Sequence, residues 1–368
     1  MSNSTKHKKI SKRRHSRNST SKSHTYTENS SSLSSKTKSS TKTISKTNFK
    51  LKRIVSNTNT KNLDKSLQNA CGIVIDQDST IWTTVNKTGL LCAYDFYGVK
   101  SCSVGIPLGL KCASSDAAPT GLIINESNGF VISKTIAKIT HSAASSFIFV
   151  TENGTIHGYN NLIDQNNAIM TVDNSDKKCF YSGIAQVNDT IYVADFCNKS
   201  IDVFDYNFVQ LTGCTFIDPS INDPLPDDYA PYNIVYINNY LYVLYAKQSQ
   251  HKKCAVIGKG FGFINVFTPA GIFVKRLVTN NELNAPWGII KSPFSIEKHN
   301  DVLIVGNNGN GELNAYDFNG NHLTTLKSNY HKLKINGLWG LTNHKNIIFF
   351  AAGPNDNKDG LVGFTKNY

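Results

Sequence analysis

Gly183-Ile184, Ile191-Tyr192-Val193-Ala194-Asp195 and Ile201-Asp202-Val203-Phe204-Asp205 follow one another closely in the chain. A hundred residues later the same order returns as Gly288-Ile289, Leu303-Ile304-Val305-Gly306-Asn307 and Leu313-Asn314-Ala315-Tyr316-Asp317. From Asp189 to Ile201 and from Asp301 to Leu313 the two copies align without a gap. Each copy is a small residue plus an aliphatic one, an apolar run, a polar turn, and a second run ending on an aromatic residue and Asp. The runs are too short for helices and rich in β-branched residues, which argues strands joined by tight turns.

Further copies begin at Gly72, Gly121, Asn233 and Gly340, so the six starts lie 49, 62, 50, 55 and 52 residues apart. Asn153-Gly154, Asn308-Gly309, Asn319-Gly320 and Pro269-Ala270-Gly271 supply the hairpin and turn chemistry. Long amphipathic helical patterns are absent. Six units of about 50 residues, each a four-stranded meander, predict an all-β, six-bladed β-propeller. The last copy tests this. It offers strands around Leu341, over 347–351 and over 361–364, and then the chain ends one strand short. The alternating segment Phe49-Lys50-Leu51-Lys52-Arg53-Ile54-Val55 precedes the first copy and is expected to fill that gap, because an unclosed ring would expose sheet edges.

The charge is unevenly placed. The whole chain carries a formal +13, yet residues 1–53 alone hold 15 Lys/Arg against the single acid Glu28, which leaves the remainder close to neutral. Residues 1–48 are about one-third Ser and almost free of apolar side chains before Ile44. Such a segment cannot bury enough surface to offset its ordering entropy, so a disordered tail is expected over 1–48 and the propeller over 49–368. The run over 6–17 brings together Lys8, Lys9, Lys12, Arg13, Arg14 and Arg17. It suits non-specific contact with nucleic acid or another polyanion, or a nuclear address. It lacks interleaved aromatics for base stacking, and phosphorylation of its Ser and Thr would offset its charge. The basic start is not followed by the apolar stretch of a secretory signal, and no 18-residue apolar run occurs. An intracellular or virion location is therefore expected. None of the eight Cys forms a C-x-x-C pair, so reduced thiols are expected, with a Cys102–Cys112 bridge as the weaker alternative.

Several segments resemble an uncharacterised, conserved hypothetical β-propeller family of NHL/SMP-30-like architecture, found in bacteria and large DNA viruses. They include Pro119-Thr120-Gly121-Leu122, 149–156, Val193-Ala194-Asp195-Phe196, Tyr229-Ala230-Pro231-Tyr232-Asn233-Ile234 and Tyr245-Ala246-Lys247-Gln248. Leu283-Asn284-Ala285-Pro286-Trp287-Gly288 and Ile335-Asn336-Gly337-Leu338-Trp339-Gly340-Leu341 complete the set. The chain departs from the family at Ala70-Cys71-Gly72, where Pro-Trp-Gly is usual, and at Cys197, where His is usual. The resemblance implies the fold and says little of activity, since propellers host many functions.

Aligning the copies puts Val85, Thr151, Asp195, Tyr245, Asn307 and Ala352 at one repeat position, where the second strand ends near the channel face. Glu152, Asn153, Asp195, Tyr245, Lys247 and Asn307 are the candidate ligand-binding residues there. The oxygens of Asp195, Asn307, Glu152 and Asn153 suit a hard cation, and SMP-30-like enzymes use such ligands for lactone hydrolysis. Against this, turn capping explains the same polar groups, and the apolar Val85 and Ala352 interrupt any ligand ring; no metal or other cofactor is expected. Trp287 and Trp339 share a repeat position. Inter-blade packing accounts for both better than stacking on a sugar or peptide. Gly258-Lys259-Gly260-Phe261-Gly262 lies in a hairpin with no helix to hold phosphate. No catalytic motif occurs. The sequence thus reads as a non-catalytic, monomeric interaction scaffold. A face of the propeller would bind a protein partner while the tail contacts polyanions. A metal-dependent hydrolase and a glycan or peptide recognition module are the competing readings.

Overall fold

The computed structural model describes residues 48–58, 61–110 and 116–367. The expectations for the tail, including Lys8, Lys9, Lys12, Arg13, Arg14 and Arg17, and for Cys112, lie outside these residues.

Six four-stranded antiparallel sheets form the blades of a propeller. Blade 1 comprises Ala70–Ile75, Ile81–Val85, Leu90–Tyr94 and Lys100–Gly105. Blade 2 comprises Pro119–Ile124, Phe147–Thr151, Thr155–Tyr159 and Ile169–Asp173. Blade 3 comprises Tyr181–Val187, Thr190–Asp195, Ser200–Asp205 and Gln210–Leu211. Blade 4 comprises Tyr229–Ile237, Tyr240–Lys247, Phe263–Phe267 and Phe273–Thr279. Blade 5 comprises Pro286–Lys291, Val302–Asn307, Leu313–Asp317 and His322–Thr325. Blade 6 takes Leu338–His344, Ile347–Ala352 and Leu361–Asn367 from the end of the chain and Phe49–Ser56 from its beginning. The closing pair is antiparallel, with Phe49 opposite Asn367 and Ser56 opposite Leu361, as expected from the alternating pattern of residues 49–55. Asn48, placed with the tail on composition, is part of this closure. Its N–H donates to Asn367 Oδ1 at 3.1 Å, and its Oδ1 accepts the Asn329 N–H at 2.8 Å.

The long spacing of 62 residues between the second and third copies arises from an inserted hairpin, Val131–Ile136 with Ile139–Ala144, between the first two strands of blade 2. In every blade the register between first and second strands slips at the start of the repeat, for example between Tyr181 and Gly183 or Pro286 and Gly288. A slip of this kind is a β-bulge. The aliphatic residue after the bulge enters the core between two blades: Ile73, Leu122, Ile184, Ile234, Ile289 and Leu341 belong to six different clusters, one per blade boundary. The seven described cysteines are free thiols.

His157 on the third strand of blade 2 is wholly buried, stacked on Phe149 with ring centroids 5.5 Å apart. Its Nε2 bonds Thr155 Oγ1 at 2.7 Å, and its Nδ1 has no partner. Burial pushes the imidazole down from 6.5 to about 3.

Two outcomes follow from this architecture. Removing residues 1–55 should lower stability by several kcal/mol, a large share of the ~5–15 kcal/mol of a typical domain, whereas removing residues 1–47 should not. Equal thermal unfolding of the two truncations would refute the closure. For His157, protonation favours the unfolded chain, so its contribution is complete above pH 6.5 and is lost as the pH falls from 6.5 toward 3. At about 1.4 kcal/mol per pH unit, the parent protein should lose about 2 kcal/mol more than His157→Gln between pH 6.5 and 5 in urea unfolding. Parallel pH profiles would refute this assignment.

Candidate functional site

The residue just before each repeat start sits within the bulge. Around the ring these residues are Cys71, Thr120, Ser182, Tyr232, Trp287 and Trp339. They are small on blades 1–3 and large on blades 4–6, so the large side chains lean across toward the small ones. The Trp287 indole N–H donates to the Ser182 carbonyl at 3.1 Å, from blade 5 to blade 3. Trp287 and Trp339 meet edge to face at 5.8 Å, Tyr232 lies 5.9 Å from Trp339, and Phe196 lies 4.8 Å from Tyr232. Phe180, Ala230, Ala246 and Ala285 complete this axial core. Trp339 is held by donating its indole N–H to Asn69 Oδ1 at 2.9 Å. The two tryptophans therefore pack, as their shared repeat position implied, and they do so at the axis.

Beyond the bulge the axis changes character. Val74, Ile123, Ala185, Val235 and Thr342, each the second residue after its repeat start, line an open mouth of about 460 Å³ with Ile184. The bulge makes this possible, because the extra residue brings both the position before it and the second position after it to the axial side of the strand.

The second-strand ends are equivalent, as the aligned copies require: Val85, Thr151, Asp195, Tyr245, Asn307 and Ala352 pair with the starts of their neighbouring inner strands. All six are buried. Asp195 Oδ1 accepts the backbone N–H of Phe180, Cys197 and Asn198 at 3.0–3.2 Å, and Oδ2 accepts Asn198 Nδ2 at 2.8 Å. Asn307 Oδ1 accepts the Asn284 N–H at 3.1 Å, while its Nδ2 donates to the Glu282 carbonyl at 2.7 Å. Tyr245 packs in the core between blades 3 and 4, and burial pushes its phenol well up. Asn153 Nδ2 donates to the Asp116 carbonyl at 2.7 Å. Lys247 pairs with Asp228 at 3.0 Å and sits 4.9 Å over the Phe261 ring. Glu152 lies beside the axial core. It accepts Asn86 Nδ2 at 2.9 Å, and burial pushes its carboxyl above the usual range despite that bond. No hydrogen bond joins any two of these six candidates.

Among the described residues, one group of metal-ligand type does assemble. The ligand atoms of Cys179, Asp195 and Asp202 lie within 4.8 Å of one another. Asp202 also accepts the Tyr181 hydroxyl at 2.8 Å and the Ser200 hydroxyl at 3.2 Å. Both carboxylates are thus already occupied in joining strand ends, and burial, with Asp195 nearby, raises the Cys179 thiol to about 12.

Comparison with known proteins gives the chain its relatives. It is 35% identical over 326 residues to an uncharacterized protein of Acanthamoeba polyphaga mimivirus, covering 86% of this chain and 80% of the relative. A second uncharacterized mimivirus protein is 34% identical over 325 residues, covering 86% and 85%. The chain belongs to this mimivirus family. No protein-family model matches it. Among solved structures, an auxiliary nutrient binding protein from Bacteroides ovatus superposes with a TM-score of 0.53 at 10% identity, covering 88% of this chain and 78% of that one. At that identity the likeness shows the fold alone.

Asp195→Ala should lower stability by about 2–4 kcal/mol by stranding buried N–H donors, while excess EDTA should leave Tm unchanged. A marked fall of Tm on chelation would make Cys179, Asp195 and Asp202 a metal centre instead.

Proposed function

We propose that this protein is a non-catalytic interaction scaffold of a virus. One face of the propeller binds a protein partner, and the basic tail contacts nucleic acid or another polyanion. The observation that carries this reading is the axis itself. One stretch is filled by Trp287, Trp339, Tyr232 and Phe196, and the open mouth beyond it carries the aliphatic side chains Val74, Ile123, Ala185 and Val235 from four blades, beside Thr342, Glu126, Gln186 and Asn343. The aliphatic part of this mouth suits an apolar side chain of a docking protein. The expected setting is the infected cell or the particle, and the expected form is a monomer.

The division of labour is testable on the full chain. Replacing Lys8, Lys9, Lys12, Arg13, Arg14 and Arg17 by Gln should abolish DNA binding. For the parent protein, six phosphate contacts give a log–log salt slope near about −5. Affinity capture should retain one discrete partner in that tail variant and lose it in Ile123→Glu/Val235→Glu. DNA binding that survives the tail changes, or capture indifferent to the mouth, would sink the proposal.

A further inference from the structure

The propeller seals its outer blade boundaries in a regular way, and one boundary is left open. The residue three positions before the equivalent end of each second strand faces the following blade: Trp82, Ile148, Tyr192, Tyr242, Ile304 and Phe349. At three boundaries the turn after the third strand of the following blade reaches back to cover it. Phe96 of blade 1 stacks on Phe349 at 5.1 Å, and Phe318 of blade 5 meets Tyr242 edge to face at 6.4 Å. Pro269 of blade 4 takes the Tyr192 hydroxyl on its carbonyl at 2.8 Å. Accordingly Tyr192, Tyr242 and Phe349 are only 4%, 3% and 2% exposed, and Ile148 and Ile304 are fully buried.

At the boundary of blades 1 and 2 the covering position, two residues after Tyr159, is Asn161. It is exposed and bonds no other described residue. Trp82 is left partly exposed, and a groove of about 930 Å³ opens over it. The groove is built, not merely unfilled. Asp76 Oδ2 fixes the indole by accepting its N–H at 2.8 Å. Phe147 and Tyr159 support the ring from below at 4.4 and 5.9 Å. Around this aromatic floor stand Gln77, Asp78, Asn161, Gln165 and Asn166, whose side chains form no hydrogen bond with other described residues. Among the described residues, no Lys, Arg or His lines the groove.

We infer that this groove binds a neutral oligosaccharide. An anionic ligand would meet Asp76 and Asp78 with no cation to offset them. A wholly apolar one would strand the amides and carboxylates of the rim. A pyranose has both faces the groove requires: axial C–H groups to lie against an indole, and a ring of hydroxyls that donate to carboxylates and exchange hydrogen bonds with amides. The site is far in the chain from Trp287 and Trp339, which are consumed in the axial core.

The test uses the full-length protein and four neutral probes: cellohexaose, maltohexaose, mannohexaose and hexa-N-acetylchitohexaose, with octalysine as the cationic alternative. Isothermal titration should show binding of at least one neutral probe, weakened tenfold or more by Trp82→Ala. Asn161→Phe restores the cover that Phe96 and Phe318 provide elsewhere. It should abolish binding while holding or raising Tm, so a lost fold and a lost site are told apart. Failure of all four probes, binding unchanged by both substitutions, or octalysine binding at the groove in place of the sugars would overturn the inference.

Discussion

Six inner strands must pass close to one another around a single axis, and the rest of the molecule is arranged to let them. A Cβ on Gly72 would lie 2.6 Å from the Thr120 carbonyl oxygen, and one on Gly121 would lie 2.9 Å from Gly183 Cα. One on Gly183 would lie 2.7 Å from Asn233 Cα, one on Gly288 2.9 Å from the Trp339 carbonyl, and one on Gly340 2.4 Å from the Cys71 carbonyl. These contacts are with backbone, which cannot swing aside as a side chain can. Glycine at the repeat start is therefore a requirement of packing between blades. Blade 4 is the exception that shows the rule. Asn233 cannot nest against blade 5 in the same way, so its Nδ2 donates across to the Trp287 carbonyl at 2.7 Å, and its Oδ1 accepts the Ile234 N–H at 2.8 Å. A hydrogen bond takes over what close approach does elsewhere. Polar bridges reinforce the same ring, with Thr84 Oγ1 donating to the Thr120 carbonyl and Thr120 Oγ1 to that of Tyr181.

The tight ring decides what the axis can hold. Strands this close leave room for only a few large side chains: the inner strands of blades 4–6 supply Tyr232, Trp287 and Trp339, the chain at the ends of blade 3 strands supplies Phe180 and Phe196, and Cys71, Thr120 and Ser182 give way. The buried polar edges of this core are satisfied by carbonyls and amides of other blades, so the plug is also a cross-brace. Closure acts at the other end of the same constraint. Phe49, Ile54 and Val55 are buried within the clusters on either side of blade 6. Without them the last blade could not hold its place between blades 5 and 1.

The features that were legible in the sequence are those that repeat. The six glycine or asparagine starts, the spacing near 50 residues and the orphan strand at 49–55 lead to the ring and its closure. Trp287 and Trp339 could be read as packing because both precede a glycine. Tyr232, their partner on blade 4, escaped notice because it is a tyrosine before an asparagine, so the Trp-Gly pair that links the other two does not recur there. The polar strand ends were harder. Asp195 and Asn307 present the right oxygens for a ligand, and composition cannot reveal that backbone N–H groups 15 and 23 positions away in the chain claim them. Such partners come from turn geometry, which no periodic signal encodes. Asn161 was illegible for a related reason: an Asn in a turn is ordinary until the equivalent residues in other blades prove to be covers.

A repeat fold separates its obligations by radius. Near the axis every blade meets its neighbours within a few ångströms, and a change at one start is felt by two blades, so the starts are held to glycine or to a residue that bonds in its place. Toward the rim the neighbours diverge, and the seal differs at four boundaries: by Phe96, by Phe318, by the Pro269 carbonyl, and at blade 2 by Phe130, which lies just before the inserted hairpin and packs against Phe208 at 5.2 Å. This latitude is what allows a single boundary to go unsealed without loss of the ring. Stability is carried inward, where the sequence is constrained, and the surfaces free to acquire partners lie at the axial mouth and the outer boundaries, where it is not.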